Sequence, residues 1–136
     1  VALTTIHLNG GKDMIEAASS EKGNIKILGV SILTSLSKND ISEITHIEFD
    51  TYFNNLISIA SNTNIDGVVC SANELDKLKN FNKLKIVPGI RNDVSDDDQK
   101  RVMSSMEAYE KGADFIVVGR PITKSEDPRK AMELFL

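Results

Sequence analysis

Cysteine is nearly absent: of 136 residues, only Cys70 carries a thiol. A single cysteine excludes an internal disulfide and suits a reducing compartment, so a cytoplasmic location is expected. Long apolar runs are missing as well. No stretch approaches the roughly 18 residues of a membrane-spanning helix, so no membrane partner is expected. No basic segment leads into an apolar one, so no secretory leader is read in these residues. Positive charge is not in excess. The formal net charge is −4, which excludes a general nucleic-acid footprint and requires any anion site to be local. There is no Walker loop, no dinucleotide fingerprint and no zinc-ligand spacing. The two histidines, His7 and His46, lie far apart and suggest no metal centre.

What is present reads as one domain spanning 1–136. Hydrophobic residues make up 40% and charged residues 26%, the balance of a globular chain with a sizeable core. Residues 2–8 (ALTTIHL) read as a strand that runs into the turn Asn9-Gly10-Gly11. Met14, Ile15, Ala17 and Ala18 give a helical stripe over 13–20, broken by Gly23-Asn24. Residues 25–33 (IKILGVSIL) form a second strand, ending at Thr34-Ser35. Residues 40–49 fit either a short helix or an irregular loop. Residues 52–61 predict a helix with Phe53, Leu56, Ile57 and Ala60 on one face, closed by residues 62–64. A third short strand follows at 67–70 (GVVC). Ser71 then caps a helix beginning near Asn73, with Glu74 completing a capping box and Leu75, Leu78 and Phe81 on its apolar side.

Ile86-Val87 is the fourth strand, and the acidic, turn-rich residues 92–98 (NDVSDDD) are a loop. Residues 105–111 predict a helix with Gly112 at its C-terminus. Residues 115–118 (FIVV) are the fifth strand, a continuous apolar run that predicts burial on both faces. Asp127 and Pro128 open a last helix, with Ala131, Met132, Leu134 and Phe135 as its apolar face. Strand and helix alternate throughout, which predicts an α/β fold of βα units around a parallel sheet.

Two strand ends share a pattern. Residues 85–91 (KIVPGIR) and 115–123 (FIVVGRPIT) each place an apolar run before glycine and then arginine. A guanidinium fork matches phosphate oxygens in pairs, and glycine lets backbone approach a ligand. Arg91 and Arg120 are therefore candidate phosphate ligands, with the Gly119 N–H as a third donor. In a (β/α)8 barrel, phosphate commonly sits on the loops after the last two strands. A complete barrel needs roughly 200 residues or more, so the expectation is an incomplete barrel of about five βα units. The chain opens on Val1, not Met, inside a strand-like segment, which suggests an N-terminal part lying outside this sequence.

Six motifs occur in order: residues 7–11 (HLNGG), 30–35 (VSILTS), 66–72 (DGVVCSA), 87–91 (VPGIR), 97–102 (DDQKRV) and 117–123 (VVGRPIT). Together they resemble the C-terminal portion of the bacterial orotidine 5′-monophosphate decarboxylases, over essentially the whole chain. The resemblance implies a TIM barrel of which these are strands four to eight. It implies conversion of orotidine monophosphate to uridine monophosphate and CO2 in pyrimidine biosynthesis, without metal or organic cofactor, by a homodimer with active sites at its interface. It also assigns Gln99 to the phosphate or the base, and Thr34 to the pyrimidine edge, where a hydroxyl and an amide together read a carbonyl next to an N–H. That family uses an alternating Lys and Asp array containing D-x-K-x-x-D. This motif does not occur in the 136 residues, so no catalytic residue is assigned within them. Two rival readings remain: a non-catalytic half-barrel that at most binds a nucleoside monophosphate, and a phosphosugar decarboxylase of the same barrel type. His7 reads as structural, and Cys70 as a small buried hydrophobe.

Overall fold

The computed structural model describes residues 1–92 and 103–136. They divide into two compact units: Val1–Cys70 with Phe81–Leu84, and Ser71–Asn80 with Lys85–Leu136.

The first unit carries β1 (Leu3–His7), α1 (Lys12–Glu21), β2 (Lys26–Val30), α2 (Lys38–Thr45), α3 (Phe49–Ser61) and β3 (Gly67–Val69). Its strands pair in parallel, His7 opposite Val30 and Val30 opposite Val69. The second strand is shorter than the apolar run at 25–33 suggests. At Ser31 both the backbone N–H and the hydroxyl donate to the Val69 carbonyl, at 3.1 and 2.9 Å, and the chain then leaves the ladder. A turn follows, closed by Leu36 N–H donating to Leu33 O at 3.0 Å. Leu8, Ile15 and Phe53 are fully buried in this unit. Gly29 is a position of close approach: a Cβ there would strike the Leu8 side chain and come within 2.9 Å of Ile65 Cδ1.

The ambiguous segment at 40–49 resolves into α2 and the start of α3. Ser37 and Asp40 form a capping box, which satisfies two orphan donors at the α2 N-terminus. The Ser37 hydroxyl and N–H hold the Asp40 carboxyl below its usual pKa. His46 ends α2 in the left-handed conformation at φ 56°. Glu48 then opens α3, its carboxylate accepting from Asp50 N–H at 2.9 Å and Thr51 N–H at 3.1 Å. Phe53, Leu56 and Ala60 are buried as expected. At the other end of α3, Lys83 Nζ donates to Ala60 O at 2.8 Å and Thr63 O at 2.6 Å. A lysine here satisfies terminal carbonyls and opposes the helix dipole. Burial lowers its pKa.

The second unit carries a 3-10 helix (Ala72–Leu78), most of β4 (Leu84–Pro88), α4 (Ser105–Glu110), β5 (Phe115–Val117), α5 (Arg120–Thr123) and α6 (Pro128–Glu133). The Ser71–Glu74 capping box is present, but the helix it opens is 3-10 rather than α. The reason lies in the apolar spacing. Leu75 and Leu78 stand three residues apart and are both buried, and three residues per turn stacks them on one side. Phe81, expected on the same face, lies beyond the helix and belongs to the first unit. The Ser104–Glu107 box opens α4, and Asp127 with Pro128 opens α6 as expected. Residues 93–98 of the acidic loop lie outside the described residues.

Expectations of burial fail at several positions. In α1 only Ile15 of the apolar stripe is buried, while Met14 and Ala17 are exposed. In β5, Phe115 is 48% and Val117 51% exposed, because among the described residues this strand pairs only with β4. In the last helical segment Phe135 is buried, but Met132 and Leu134 are exposed. A helix of 6 residues is too short to turn all four apolar residues to one side.

Candidate functional site

The second unit brings the two glycine–arginine patterns to one end of a strand pair. Strands β4 and β5 run parallel, with Ile86 opposite Phe115, Val87 opposite Ile116 and Pro88 opposite Val117. Parallel strands finish at the same edge. Arg91 stands three residues beyond Pro88, and Arg120 three residues beyond Val117. The register therefore carries the backbone of both arginines past the same edge. Gly89 follows Pro88 at φ +78°, a conformation only glycine adopts readily, and turns the chain out of β4. Gly119 differs. Its φ is −106° and ψ −99°, and among the described residues a Cβ there would meet nothing within 4 Å. It caps α5, accepting from Ile122 and Thr123 N–H at 3.0 Å each. The first N–H groups of a helix lack intrahelical partners, and Pro121 contributes no donor.

Arg91 is half-buried and Arg120 exposed. Arg91 N–H donates to Met103 O at 3.4 Å. The next residue, Asn92, makes three hydrogen bonds. Its Oδ1 accepts from Ser105 N–H at 2.9 Å, and its Nδ2 donates to Ser105 Oγ at 3.1 Å and Leu134 O at 2.7 Å. Within the sequence Asn92 reads as the start of a loop. The available signal is its place directly after Arg91, with Ser105 at the head of a predicted helix.

Thr34 belongs to the first unit and lies, exposed, in the turn after β2. Gln99 lies outside the described residues. His7 ends β1 and is exposed, whereas Cys70 is buried. At the opposite end of β4 and β5, a cleft lined by Asp76, Lys79, Lys85, Glu110 and Lys111 is held by ion pairs. Lys111 Nζ sits 2.8 Å from Asp76 Oδ2, and Lys85 Nζ 3.6 Å from Asp114 Oδ2. The Lys111 hydrogen bond and charge hold the Asp76 carboxyl below its usual pKa. These charges have structural partners, unlike a site prepared for a ligand.

A family model described as orotidine 5′-phosphate decarboxylase / HUMPS family matches residues 1–135. The chain belongs to this family. It is 44% identical to an orotidine 5′-phosphate decarboxylase of Aquifex aeolicus, covering 96% of this chain and 59% of that protein. A second, from Ehrlichia chaffeensis, is 42% identical over 98% of this chain and 61% of its own length. The chain thus spans about three fifths of the curated relatives it matches. Among solved structures, the orotidine 5′-phosphate decarboxylase of Lactobacillus acidophilus superposes with a TM-score of 0.83 at 30% identity, over 99% of this chain and 62% of that one. The α/β class with parallel strands, and the TIM-barrel family expected from the motifs, both agree with this likeness.

Proposed function

We propose that these residues are the substrate-gripping part of an orotidine 5′-phosphate decarboxylase, a carboxy-lyase that converts orotidine monophosphate to uridine monophosphate and CO2. In this reading the chain is the C-terminal portion of one (β/α)8 domain, strands four to eight. The family match from residue 1 to 135 supports treating it as part of a single domain. The observation that carries the reading is the Pro88–Val117 register, which sets Arg91 and Gly119-Arg120 past one edge of two adjacent parallel strands. Arg91, Arg120 and the Gly119 N–H then hold the phosphate. Gln99 reaches the phosphate or the base, and Thr34 hydrogen-bonds the pyrimidine edge.

Phosphate lies far from the carbon that loses CO2. Binding energy gathered there lowers the barrier only when it is used to hold the reacting carbon in place. The charge stabilisation at that carbon belongs to the Lys and Asp array of the family, and D-x-K-x-x-D does not occur in these residues. No metal or organic cofactor is invoked. The working protein is taken to be a cytoplasmic homodimer engaged in pyrimidine biosynthesis. A nucleotide-binding half-barrel without activity is the second reading, favoured by the same missing motif.

Calorimetry with uridine monophosphate and with uridine tests the site. Charged hydrogen bonds contribute about 1.5–3 kcal/mol each, so Arg120→Ala should weaken nucleotide binding by about tenfold or more and leave uridine unchanged. Equal affinity of the wild-type chain for both compounds rejects the phosphate site. With orotidine monophosphate, the 136 residues alone should show absorbance loss at the buffer rate. Turnover that Arg120→Ala abolishes would mean that catalytic groups lie within this sequence.

A further inference from the structure

We infer that Asn92 is a positioning residue for Arg91, fixing where that arginine stands relative to the helices of its own unit. The inference rests on the phosphate reading above. Strand pairing stops at Pro88, and Gly89, at φ +78°, follows at once. Arg91 therefore stands beyond the ladder, on backbone that leaves the strand through a glycine. Its N–H bond to Met103 O is long, at 3.4 Å. A further attachment comes one residue later. A neutral amide offers one carbonyl oxygen and two N–H donors, and Asn92 uses its oxygen and its nitrogen in three bonds of 2.7 to 3.1 Å.

The partners explain what these bonds hold. Ser105 is the first residue of α4 and is buried, so it is a fixed point. Leu134 O is a carbonyl at the end of α6, where intrahelical donors run out. Helix α6 packs on α5, and α5 begins with Arg120. Asn92 thus ties the exit of β4 to the helix pair that starts with the second arginine. Two guanidinium forks must share one phosphate, and a change of about 1 Å in their separation loses bonds that depend on direction.

The test measures the preference for uridine monophosphate over uridine by calorimetry on the full 136-residue chain. Asn92→Ala should cut that preference about fivefold to tenfold with uridine affinity unchanged. Asn92→Leu, close in size but without polar atoms, should do the same, and it serves if the alanine variant folds poorly. In an Arg91→Ala background, Asn92→Ala should cost nothing further, because a positioning residue acts through the residue it positions. A merely structural role would lower both ligands equally, or would add to Arg91→Ala in full. Either result overturns the inference, as does an unchanged preference in both Asn92 variants. A wild-type chain that does not prefer the nucleotide fails the phosphate reading itself, before Asn92 is reached.

Discussion

In the first unit, Asp66 stands immediately before β3, its N–H donating to Ile27 O at 2.9 Å and its carboxylate accepting from Ile27 N–H at 2.8 Å. In the second, Asp114 stands before β5 and treats Lys85 the same way, at 2.9 and 2.7 Å. Each aspartate completes a ladder step with backbone on one side and side chain on the other. The surroundings differ. Asp66 also takes Lys22 Nζ at 2.6 Å and is 20% exposed, whereas Asp114 is 40% exposed and stands 3.6 Å from Lys85 Nζ. The strands follow suit: Ile27 and Leu28 of β2 are buried, while Phe115 and Val117 of β5 are not. The same βα device is thus shielded in the first unit and open in the second. Stability should concentrate in the first unit, while the second carries the paired arginines.

The widest gap is expected between two phenylalanines. Phe53→Ala removes a fully buried ring and should cost about 3–5 kcal/mol. Phe115→Ala, at a half-exposed position, should cost about 1 kcal/mol. Urea unfolding of both variants measures this, and equal losses would break the comparison. Next come the aspartates. Asp66→Ala should cost about 1.5–3 kcal/mol, as expected for charge-assisted bonds shielded from water. Asp114→Ala should cost about 1 kcal/mol, because its carboxylate is 40% exposed and stands 3.6 Å from Lys85 Nζ, a longer and better hydrated contact. Thermal melts at low and high salt would separate the two, with salt affecting Asp114 more.

The smallest effect is a pH dependence. Burial pushes the Asp66 pKa up, but the Lys22 hydrogen bond, the Ile27 N–H and the charges of Lys22 and Lys26 outweigh it and hold the carboxyl below its usual value. A carboxyl lowered in the folded state contributes stability that is complete above its unfolded pKa of about 3.9. That stability is lost as pH falls through the folded value. The stability difference between wild type and Asp66→Ala should therefore be constant above about pH 5 and shrink below about pH 4. A difference that grows on acidification would contradict the assignment.

The order of strands and helices was legible because each buried run is bounded by glycine, asparagine or a capping serine. The Ser71 and Asp127 starts were legible for the same reason. Other features were hidden by chemistry that is rarer at those positions. Glu48 is not among the favoured N-cap residues, so the true start of α3 was missed. The 3-10 helix shares its capping box with α-helices, and only the three-residue spacing of the buried Leu75 and Leu78 separates them. Exposure of β5 could not be read from composition, since an apolar run reports the burial its strand would have beside neighbours on both edges. At the candidate site, the glycine–arginine pairs were visible as repeats. Their shared edge depends on the β4–β5 register, and Asn92 depends on partners at Ser105 and Leu134 that local pattern does not reveal.

The contact between Leu8 and Gly29 has a consequence for how this unit can diverge. Leu8, fully buried after β1, occupies the space where β2 would otherwise carry a side chain. Interior volume is close to conserved in well-packed proteins. Positions 8, 29 and 65 therefore draw on one shared volume, although they lie far apart in the sequence. A larger residue at 29 is admissible only where both Leu8 and Ile65 yield space, so the cost of enlarging this position is set by side chains elsewhere in the chain.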